Sequence, residues 1–257
     1  MPNFAANLSM MFQEHDFLDR FAAASAQGFN GAEFLFPYDW EKSEIRARLD
    51  DNGITQALFN LPPGDWAAGE RGFAALPGRE DTFEAALDKA LDYAVALDCP
   101  RLHVMSGMVP EGVDRTACTD TLISNLSKAA PKAASAGKTL IIEPINTQDM
   151  PAYFLNWQKQ ALDILDAVGQ PNVRLQFDLY HCQIMEGNLA VHMREQFDRI
   201  EHMQIAGVPG RHEPDVGEIN YPYLFALMDE LGYEGWVGCE YNPAGETVSG
   251  LGWFKGR

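Results

Sequence analysis

Short apolar runs alternate with longer amphipathic stretches along the whole chain. Eight such runs occur at residues 4–7, 32–35, 55–59, 102–105, 140–143, 173–178, 202–206 and 236–240. Between two of these runs, Phe83, Leu87, Leu91 and Ala94 recur at the spacing that places side chains on one face of a helix. Apolar runs that alternate with helices are typical of βαβ units and a parallel sheet. The pattern therefore predicts an α/β protein.

Two further stretches show the same helical spacing, and glycines follow the predicted helices. The first stretch is Phe154, Trp157, Ala161, Leu165 and Val168, and the second is Leu224, Leu227, Met228 and Leu231. The glycines that shortly precede the next apolar run are Gly28, Gly53, Gly137, Gly169 and Gly232. Glycine is the usual residue at the end of a helix because it tolerates a left-handed backbone.

The number of repeating units and the chain length favour one closed barrel. Eight βα units in 257 residues match the usual size of a (β/α)8 TIM barrel, which is about 250 residues. We therefore predict a single domain spanning residues 1–257. An open, doubly wound sheet is the alternative that the pattern alone leaves.

Composition and charge narrow the class of partner. The chain carries 37 Asp and Glu against 19 Lys and Arg, a net charge of −18, which repels nucleic acid and anionic membranes. No run approaches the length of a transmembrane helix, and the four cysteines form no C-x-x-C pair. We expect a cytoplasmic protein whose partner is a small molecule. An anionic substrate would need a cleft that contains arginine. Assembly into a homo-oligomer is compatible with the composition.

Acidic or amide residues stand at the ends of four successive apolar runs in the second half of the chain. They are Glu143, Asp178, Gln204 and Glu240, each about one βα unit from the next. Because the carboxyl ends of barrel strands meet at one mouth, these side chains are expected to converge there. Alone, each residue would equally suit a helix cap, an ion pair or a polar core position.

Carboxylates that converge in a buried place need a positive partner, because an unpaired buried ion costs several kcal/mol. The ends of these runs offer no lysine or arginine. A divalent cation would neutralise several carboxylates at once, and hard oxygen ligands suit Mg²⁺ or Mn²⁺ better than zinc in a thiolate site. The combination of four residues therefore predicts a metal site.

Several residues near the predicted mouth are candidates for substrate binding. His181 follows Asp178 by one short turn, and Arg211 lies just beyond the seventh run. The longest connection, residues 60–78, carries Glu70 and Arg71. A guanidinium can bind a carboxylate through two parallel hydrogen bonds, so both arginines could hold an acidic substrate. The alternative for His181 is a loop histidine whose hydrogen bonds are made locally. The alternative for residues 60–78 is a surface insertion, and that for Arg71 is a surface salt bridge.

Four motifs, FAANLSM at 4–10, PGDWAAGERG at 63–72, IEPIN at 142–146 and GWVGCEY at 235–241, resemble hydroxypyruvate isomerases, which are xylose isomerase-like barrels. The resemblance implies that Glu143, Asp178, Gln204 and Glu240 bind the metal and that Glu143 and Glu240 are also the acid/base pair. It implies conversion of hydroxypyruvate to tartronate semialdehyde through an enediolate. Residues 204–215 and 250–254 are more similar to 2-oxo-tetronate isomerases, which makes that substrate the alternative, ahead of other sugar isomerases or epimerases.

Two other classes of function are weaker. A metal-dependent nuclease on a similar barrel would want a basic groove and many histidines, whereas this chain has a net charge of −18 and six histidines. A binding protein that had lost catalysis would not need both Glu143 and Glu240. No G-x-G-x-x-G follows the first run, so we expect no dinucleotide cofactor.

Overall fold

Eight parallel strands form a closed barrel in the computed structural model, which describes residues 2–255. Each strand pairs with the next in sequence, and β8 closes the barrel by pairing with β1. The strands are β1 (Asn3–Asn7), β2 (Gly31–Phe34), β3 (Thr55–Asn60), β4 (Arg101–His103), β5 (Thr139–Ile142), β6 (Val173–Asp178), β7 (Ile200–Ile205) and β8 (Trp236–Cys239). The predicted barrel is confirmed, and the open sheet is wrong.

Helices surround the barrel. They are α1 (Arg20–Ala26), α2 (Lys42–Asn52), α3 (Glu80–Ala96), α4 (Arg115–Ser135), α5 (Gln158–Val168), α6 (Leu179–Met185), α7 (Leu189–Gln196), α8 (Tyr221–Leu231) and α9 (Gly252–Lys255). Within residues 2–255, three short 3-10 helices cover Phe17–Asp19, Phe197–Arg199 and Thr247–Gly250. No helix in residues 2–255 is long and apolar enough to cross a membrane.

One predicted helix begins later than its apolar pattern. Phe154 and Trp157 precede α5, and Trp157 has the extended backbone of an N-cap residue (φ −122°, ψ 142°). Phe154 is fully buried and its backbone N–H donates to the Gly107 carbonyl, whereas Trp157 is 49% exposed. The helical spacing of these two residues is therefore coincidental, since Phe154 packs from a loop and Trp157 faces solvent.

The helix ends follow the predicted glycine chemistry. Gly53, Gly169 and Gly232 are the C-cap residues of α2, α5 and α8, each in a left-handed conformation. Gly28 and Gly137 stand one residue beyond the C-caps of α1 and α4, also with positive φ. These positions turn the chain back toward the next strand without the steric cost of a Cβ atom.

The long connection between β3 and α3 lies against the loop that follows β4. Gly72 forms an antiparallel bridge with Ser106, and the backbone N–H of Ala75 donates to the Ser106 carbonyl. A Cβ atom at Gly72 would overlap the Met105 carbonyl oxygen, so only glycine allows this approach. The connection therefore lies on the face formed by the carboxyl ends of the strands, as predicted.

Candidate active site

Three carboxylates and one histidine converge at that face. Glu143 directly follows β5, Asp178 ends β6, His181 lies in α6 and Glu240 directly follows β8. Each offers one potential ligand atom, and these atoms all lie within 4.8 Å of one another. All four residues are at most 6% exposed. We call this group the carboxylate cluster; it joins three of the four predicted metal ligands to the predicted substrate-binding histidine.

The junction of β6 and α6 explains how Asp178 and His181 meet. Asp178 is the N-cap of α6, where its Oδ1 accepts a hydrogen bond from the backbone N–H of Tyr180 at 2.7 Å. The first turn of the helix then brings His181 back over the cap, with its Nε2 3.7 Å from Asp178 Oδ2. One side-chain oxygen of Asp178 therefore caps α6, while the other faces the carboxylate cluster.

Gln204, the fourth predicted ligand, lies beside Asp178 in the β6–β7 register. Its Nε2 donates to Glu33 Oε1 at 2.8 Å, and its Oε1 accepts from Gln176 Nε2 at 2.5 Å. The structure thus places Gln204 in a buried hydrogen-bonded layer next to the cluster. Its role as a metal ligand stays a prediction.

The centre of that layer is Glu33, which the sequence pattern did not single out. Glu33 Oε1 also accepts from Asn7 Nδ2 at 3.0 Å, and Oε2 lies 2.7 Å from His202 Nε2. Asn7 Nδ2 reaches Glu240 Oε1 as well, at 3.3 Å, and so links this layer to the cluster. The available signal was a single acidic residue inside the apolar run of β2. We call Asn7, Glu33, His202 and Gln204 the Glu33 layer.

His103 is a second residue that sequence reasoning missed. Its Nε2 lies 3.5 Å from Glu143 Oε2, and the residue is 2% exposed at the end of β4. Burial lowers the pKa of His103 to about 3, so the ring is neutral at physiological pH. Its signal in the sequence was a lone polar residue in the apolar run at 102–105.

Arg211 lies among the carboxylates. Its NH2 group hydrogen-bonds to Glu240 Oε2 and lies 3.7 Å from Asp178 Oδ2, while its Nε donates to the Glu240 carbonyl at 3.3 Å. The residue adopts a left-handed backbone (φ 55°), which is uncommon for a non-glycine residue. The carboxyl ends of the eight described strands carry no lysine or arginine, and the cation beside the carboxylates comes instead from the loop after β7. Binding of a substrate carboxylate by Arg211 stays a prediction.

Burial dominates the protonation of the cluster. It raises the pKa of Glu240 to about 8 and that of Asp178 to about 6, with Arg211 opposing both increases. The pKa of Glu143 lies well above its usual value because of burial and the nearby charges of Glu240 and Asp178. Burial and Arg211 hold the pKa of His181 well below its usual value. The metal-free cluster therefore retains protons near neutral pH.

The residues of the cluster fit a divalent cation. When ionised, the three carboxylates exceed the single guanidinium of Arg211 by two negative charges, because both nearby histidines are neutral. Glu143 Oε1 and Asp178 Oδ2 are buried and accept no hydrogen bond within residues 2–255. Hard oxygen donors with unmet charge are what Mg²⁺ and Mn²⁺ bind. The cluster could therefore hold a metal ion.

The two loop candidates contact other loop residues. Glu70 Oε2 accepts from the backbone N–H of Asp65 at 2.7 Å, and its Oε1 accepts from Arg79 at 3.0 Å. The Arg71 guanidinium lies over the Trp66 ring, 3.5 Å from its centroid, and donates to the carbonyls of Trp66 and Glu70. These contacts order the β3–α3 connection. Substrate binding by Glu70 and Arg71 stays a prediction.

The fold and site define the class to which the chain belongs. A sequence model of the xylose isomerase-like TIM barrel matches residues 21–257. The chain therefore belongs to the xylose isomerase-like TIM barrel family.

Close relatives of the chain are isomerases. A 2-oxo-tetronate isomerase of Cupriavidus necator is 60% identical over 255 residues, covering 99% of this chain and 98% of the relative. The hydroxypyruvate isomerase of Escherichia coli is 46% identical over 254 residues, covering 99% and 98%. A Brucella melitensis crystal structure, named as an AP endonuclease of family 2, is 55% identical, has a TM-score of 0.98 and covers 100% and 99%. The resemblance seen in the sequence is confirmed.

Proposed function

We propose that this protein is an isomerase of small 2-keto acids that moves a carbonyl group to the adjacent carbon. The observation that carries the proposal is the convergence of two buried glutamates, Glu143 and Glu240, in one cluster beside Arg211. Full-length relatives named as keto acid isomerases support the same reaction. Such a reaction requires a base, an acid and a group that stabilises a developing oxyanion, and the carboxylate cluster with Arg211 supplies candidates for each.

The favoured substrate is a 2-oxo-tetronate, with hydroxypyruvate second. Three relatives named 2-oxo-tetronate isomerase are 48–60% identical to this chain, and the Escherichia coli hydroxypyruvate isomerase is 46% identical. These identities favour the 2-oxo-tetronate over the substrate that the sequence motifs put first. Both substrates are 2-oxo acids with a hydroxyl on the next carbon, so the same proton transfers serve either one.

A metal ion fits this proposal as the group that prepares the substrate. Glu143, Asp178 and Glu240 would hold Mg²⁺ or Mn²⁺ together with Gln204. When bound, the ion supplies Lewis acidity that polarises the substrate carbonyl and acidifies the neighbouring C–H bond.

Glu143 and Glu240 would be the base and the acid at the two reacting carbons. One carboxylate removes the C–H proton next to the carbonyl to give an enediolate, and the hydroxyl proton of that carbon passes to the former carbonyl oxygen. The other carboxyl then delivers a proton to the former carbonyl carbon. Their proximity favours this division of labour, because the charge of one carboxylate raises the pKa of the other. Arg211, which already contacts Glu240, stabilises the ionised partner and is the candidate to hold the substrate carboxylate.

The cellular setting follows from the same chemistry. The four buried cysteines form no disulfide within residues 2–255, which suits a reducing cytoplasm. The partner would be a small anionic molecule rather than nucleic acid or a membrane, because the net charge of −18 repels polyanions. That charge also argues against a nuclease, despite the endonuclease name carried by the Brucella structure. Assembly into a homo-oligomer is compatible with these features.

The test is a metal-supplemented activity screen with product identification by NMR. A 2-oxo-tetronate, hydroxypyruvate and a neutral ketose of similar length would be compared with Mg²⁺, with Mn²⁺ and with chelator. We expect turnover of the keto acids, loss with chelator, and loss of activity in Glu143→Gln and Glu240→Gln. Full activity in either variant, or turnover of the neutral ketose alone, would refute the proposal.

A further inference from the structure

His181 has a second polar environment on the side of the ring that faces away from the carboxylate cluster. Its Nδ1 atom lies 2.7 Å from Asn146 Nδ2, in the loop that follows β5. We propose that Asn146 is a positioning residue that keeps the His181 proton on Nε2, so that the ring presents an N–H donor to the substrate. The functional consequence rests on the proposed isomerase activity, whereas the tautomer itself is a property of the protein alone.

The orientation of the Asn146 side chain is determined by its other hydrogen bonds. Its Oδ1 accepts from the backbone N–H groups of Gln148 at 2.9 Å and Asp149 at 2.8 Å. Its Nδ2 donates to Asp149 Oδ2 at 2.9 Å, and that carboxylate oxygen also accepts from Tyr180 Oη at 3.0 Å. A flipped amide would face two N–H groups with its NH2 and a carboxylate with its oxygen. The NH2 group therefore faces both Asp149 and His181.

Two donors consequently point at the same nitrogen of His181. Besides Asn146 Nδ2 at 2.7 Å, the backbone N–H of Asn146 approaches Nδ1 at 3.4 Å. Neither of these amide nitrogens can accept a hydrogen bond, so His181 Nδ1 must be the acceptor. An imidazole ring always carries at least one proton, and a nitrogen that accepts carries none, so the proton is on Nε2.

The groups on the Nε2 side are compatible with a donor there. Nε2 lies 3.8 Å from Glu143 Oε1 and 3.7 Å from Asp178 Oδ2, both of which are acceptors when ionised. Arg211 NH2 is 3.4 Å from Nε2, but it also lies 3.7 Å from Asp178 Oδ2. The two N–H groups therefore flank one carboxylate oxygen. A single donor at 3.4 Å is outweighed by the two donors on Nδ1.

This tautomer separates two roles that the position of His181 would otherwise allow. A histidine that binds a metal uses a nitrogen lone pair, and its other ring nitrogen usually donates to an oxygen. In His181 the other ring nitrogen accepts, and Nε2 carries the proton. His181 should therefore act as a hydrogen-bond donor to a substrate oxygen rather than as a metal ligand. This holds although its potential ligand atom lies within 4.8 Å of those of the three carboxylates.

The test is the tautomer of His181 measured by nitrogen-15 NMR on the full chain, both with chelator and with Mg²⁺. The chain has six histidines, and the His181 signals are assigned by their absence from a His181→Gln variant. We expect a protonated Nε2 and an unprotonated Nδ1 in both samples. A proton on Nδ1 in the wild-type protein would overturn the proposal.

Substitution of Asn146 tests what holds the tautomer. Asn146→Asp replaces the donor by an acceptor, so the proton should move to Nδ1, and kcat/KM should fall by about 10–100-fold, as expected for a residue that orients an active-site histidine. Asn146→Ala leaves only the backbone donor and should give a mixture of tautomers. An unchanged Nε2–H signal in both variants would show that Asn146 does not hold the ring.

Asn156→Asp is the matched control. Asn156 is buried in the same β5–α5 loop and donates to the Ile145 carbonyl at 2.9 Å, so its replacement removes a buried hydrogen bond close to Asn146. This variant should lose stability but keep the His181 proton on Nε2. Movement of the proton in Asn156→Asp would attribute the effect to general loosening of the loop and contradict the proposal. Because the tautomer is read without turnover, a failed activity screen would leave this result standing.

Discussion

Arg211→Gln is the perturbation that most directly probes the charge balance of the site. Arg211 is the cation among three buried carboxylates, and it contacts Glu240 directly and Asp178 at 3.7 Å. Glutamine keeps much of the side-chain length and can adopt the backbone conformation about as well as arginine, so the change removes chiefly the positive charge. We expect the metal-free protein to lose stability and to regain most of it when Mg²⁺ is added.

The magnitude follows from the burial of the pair. Opposite charges about 4 Å apart interact by about 4 kcal/mol at an effective dielectric constant of 20. Removing one partner of a buried pair costs about 3–5 kcal/mol because it leaves the other charge uncompensated. For a chain of this size, each kcal/mol changes Tm by about 2–4 °C, so the expected decrease is about 6–20 °C at pH 9, where the wild-type pair is ionised.

The loss should depend on pH with a definite sign. Without Arg211, the pKa values of Glu240 and Asp178 rise above about 8 and about 6, the values they have beside the guanidinium. A carboxyl group with a raised pKa in the folded state binds a proton that the unfolded state releases, so its contribution to stability is present at low pH and is lost as pH rises. The variant should therefore be close to wild type at pH 5 and most destabilised at pH 9.

Thermal unfolding at pH 5, 7 and 9, with chelator and with Mg²⁺, measures these effects. Arg199→Gln is the control, because Arg199 pairs with the exposed Asp166 and such a pair contributes about 0–1 kcal/mol. A decrease in Tm that is equal at pH 5 and pH 9, or no larger than that of Arg199→Gln, would refute the electrostatic account. Equal stabilisation of variant and wild type by Mg²⁺ would show that Arg211 and the metal do not serve the same carboxylates.

Three further predictions concern the metal, the proton transfer and the Glu33 layer. Calorimetry should show that Mg²⁺ affinity rises between about pH 6 and about pH 8, with proton release, because the metal displaces protons from Asp178 and Glu240; a flat profile would place the metal elsewhere. Turnover in deuterium oxide should place deuterium on the product carbon that receives the proton, and full retention of substrate hydrogen would indicate a hydride shift. Gly238→Ala should cost about 1–3 kcal/mol in chemical denaturation and lower kcat/KM, because its Cβ would overlap Glu33 Oε2; a variant of unchanged stability would show that Glu33 moves freely.

The sequence predicted the barrel because its repeating unit is local. Each strand lies in a short apolar run, and the ends of α1, α2, α4, α5 and α8 carry a glycine, so eight units could be recognised without knowledge of their contacts. The convergence of Glu143, Asp178 and Glu240 followed from the same reasoning, since parallel strand ends of a barrel share one mouth. Glu143 and Glu240 stand one residue beyond their strands rather than at the last strand position, which does not alter where they point.

The sequence could not predict contacts that depend on how a loop folds back. Arg211 meets Glu240 from the loop after β7, in which Arg211 adopts a left-handed backbone. Phe154 likewise has helical spacing but packs from a loop. In both cases the position along the chain gives the neighbourhood, whereas the contact is decided by backbone angles that residue types leave open.

The Glu33 layer explains why polar residues persist beneath the carboxylate cluster. Glu33 is a fourth carboxylate in the barrel interior, and its oxygens are occupied by Asn7, Gln204 and His202. Such a carboxylate costs several kcal/mol to bury unless its hydrogen bonds are made, so a core built for stability alone would favour an apolar residue at this position. What the layer provides is orientation, because Glu33 receives the NH2 group of Gln204 and Asn7 connects Glu33 to Glu240. We therefore expect Glu33→Gln to disturb the geometry of the site, measured as weaker Mg²⁺ binding, more than it lowers the free energy of unfolding.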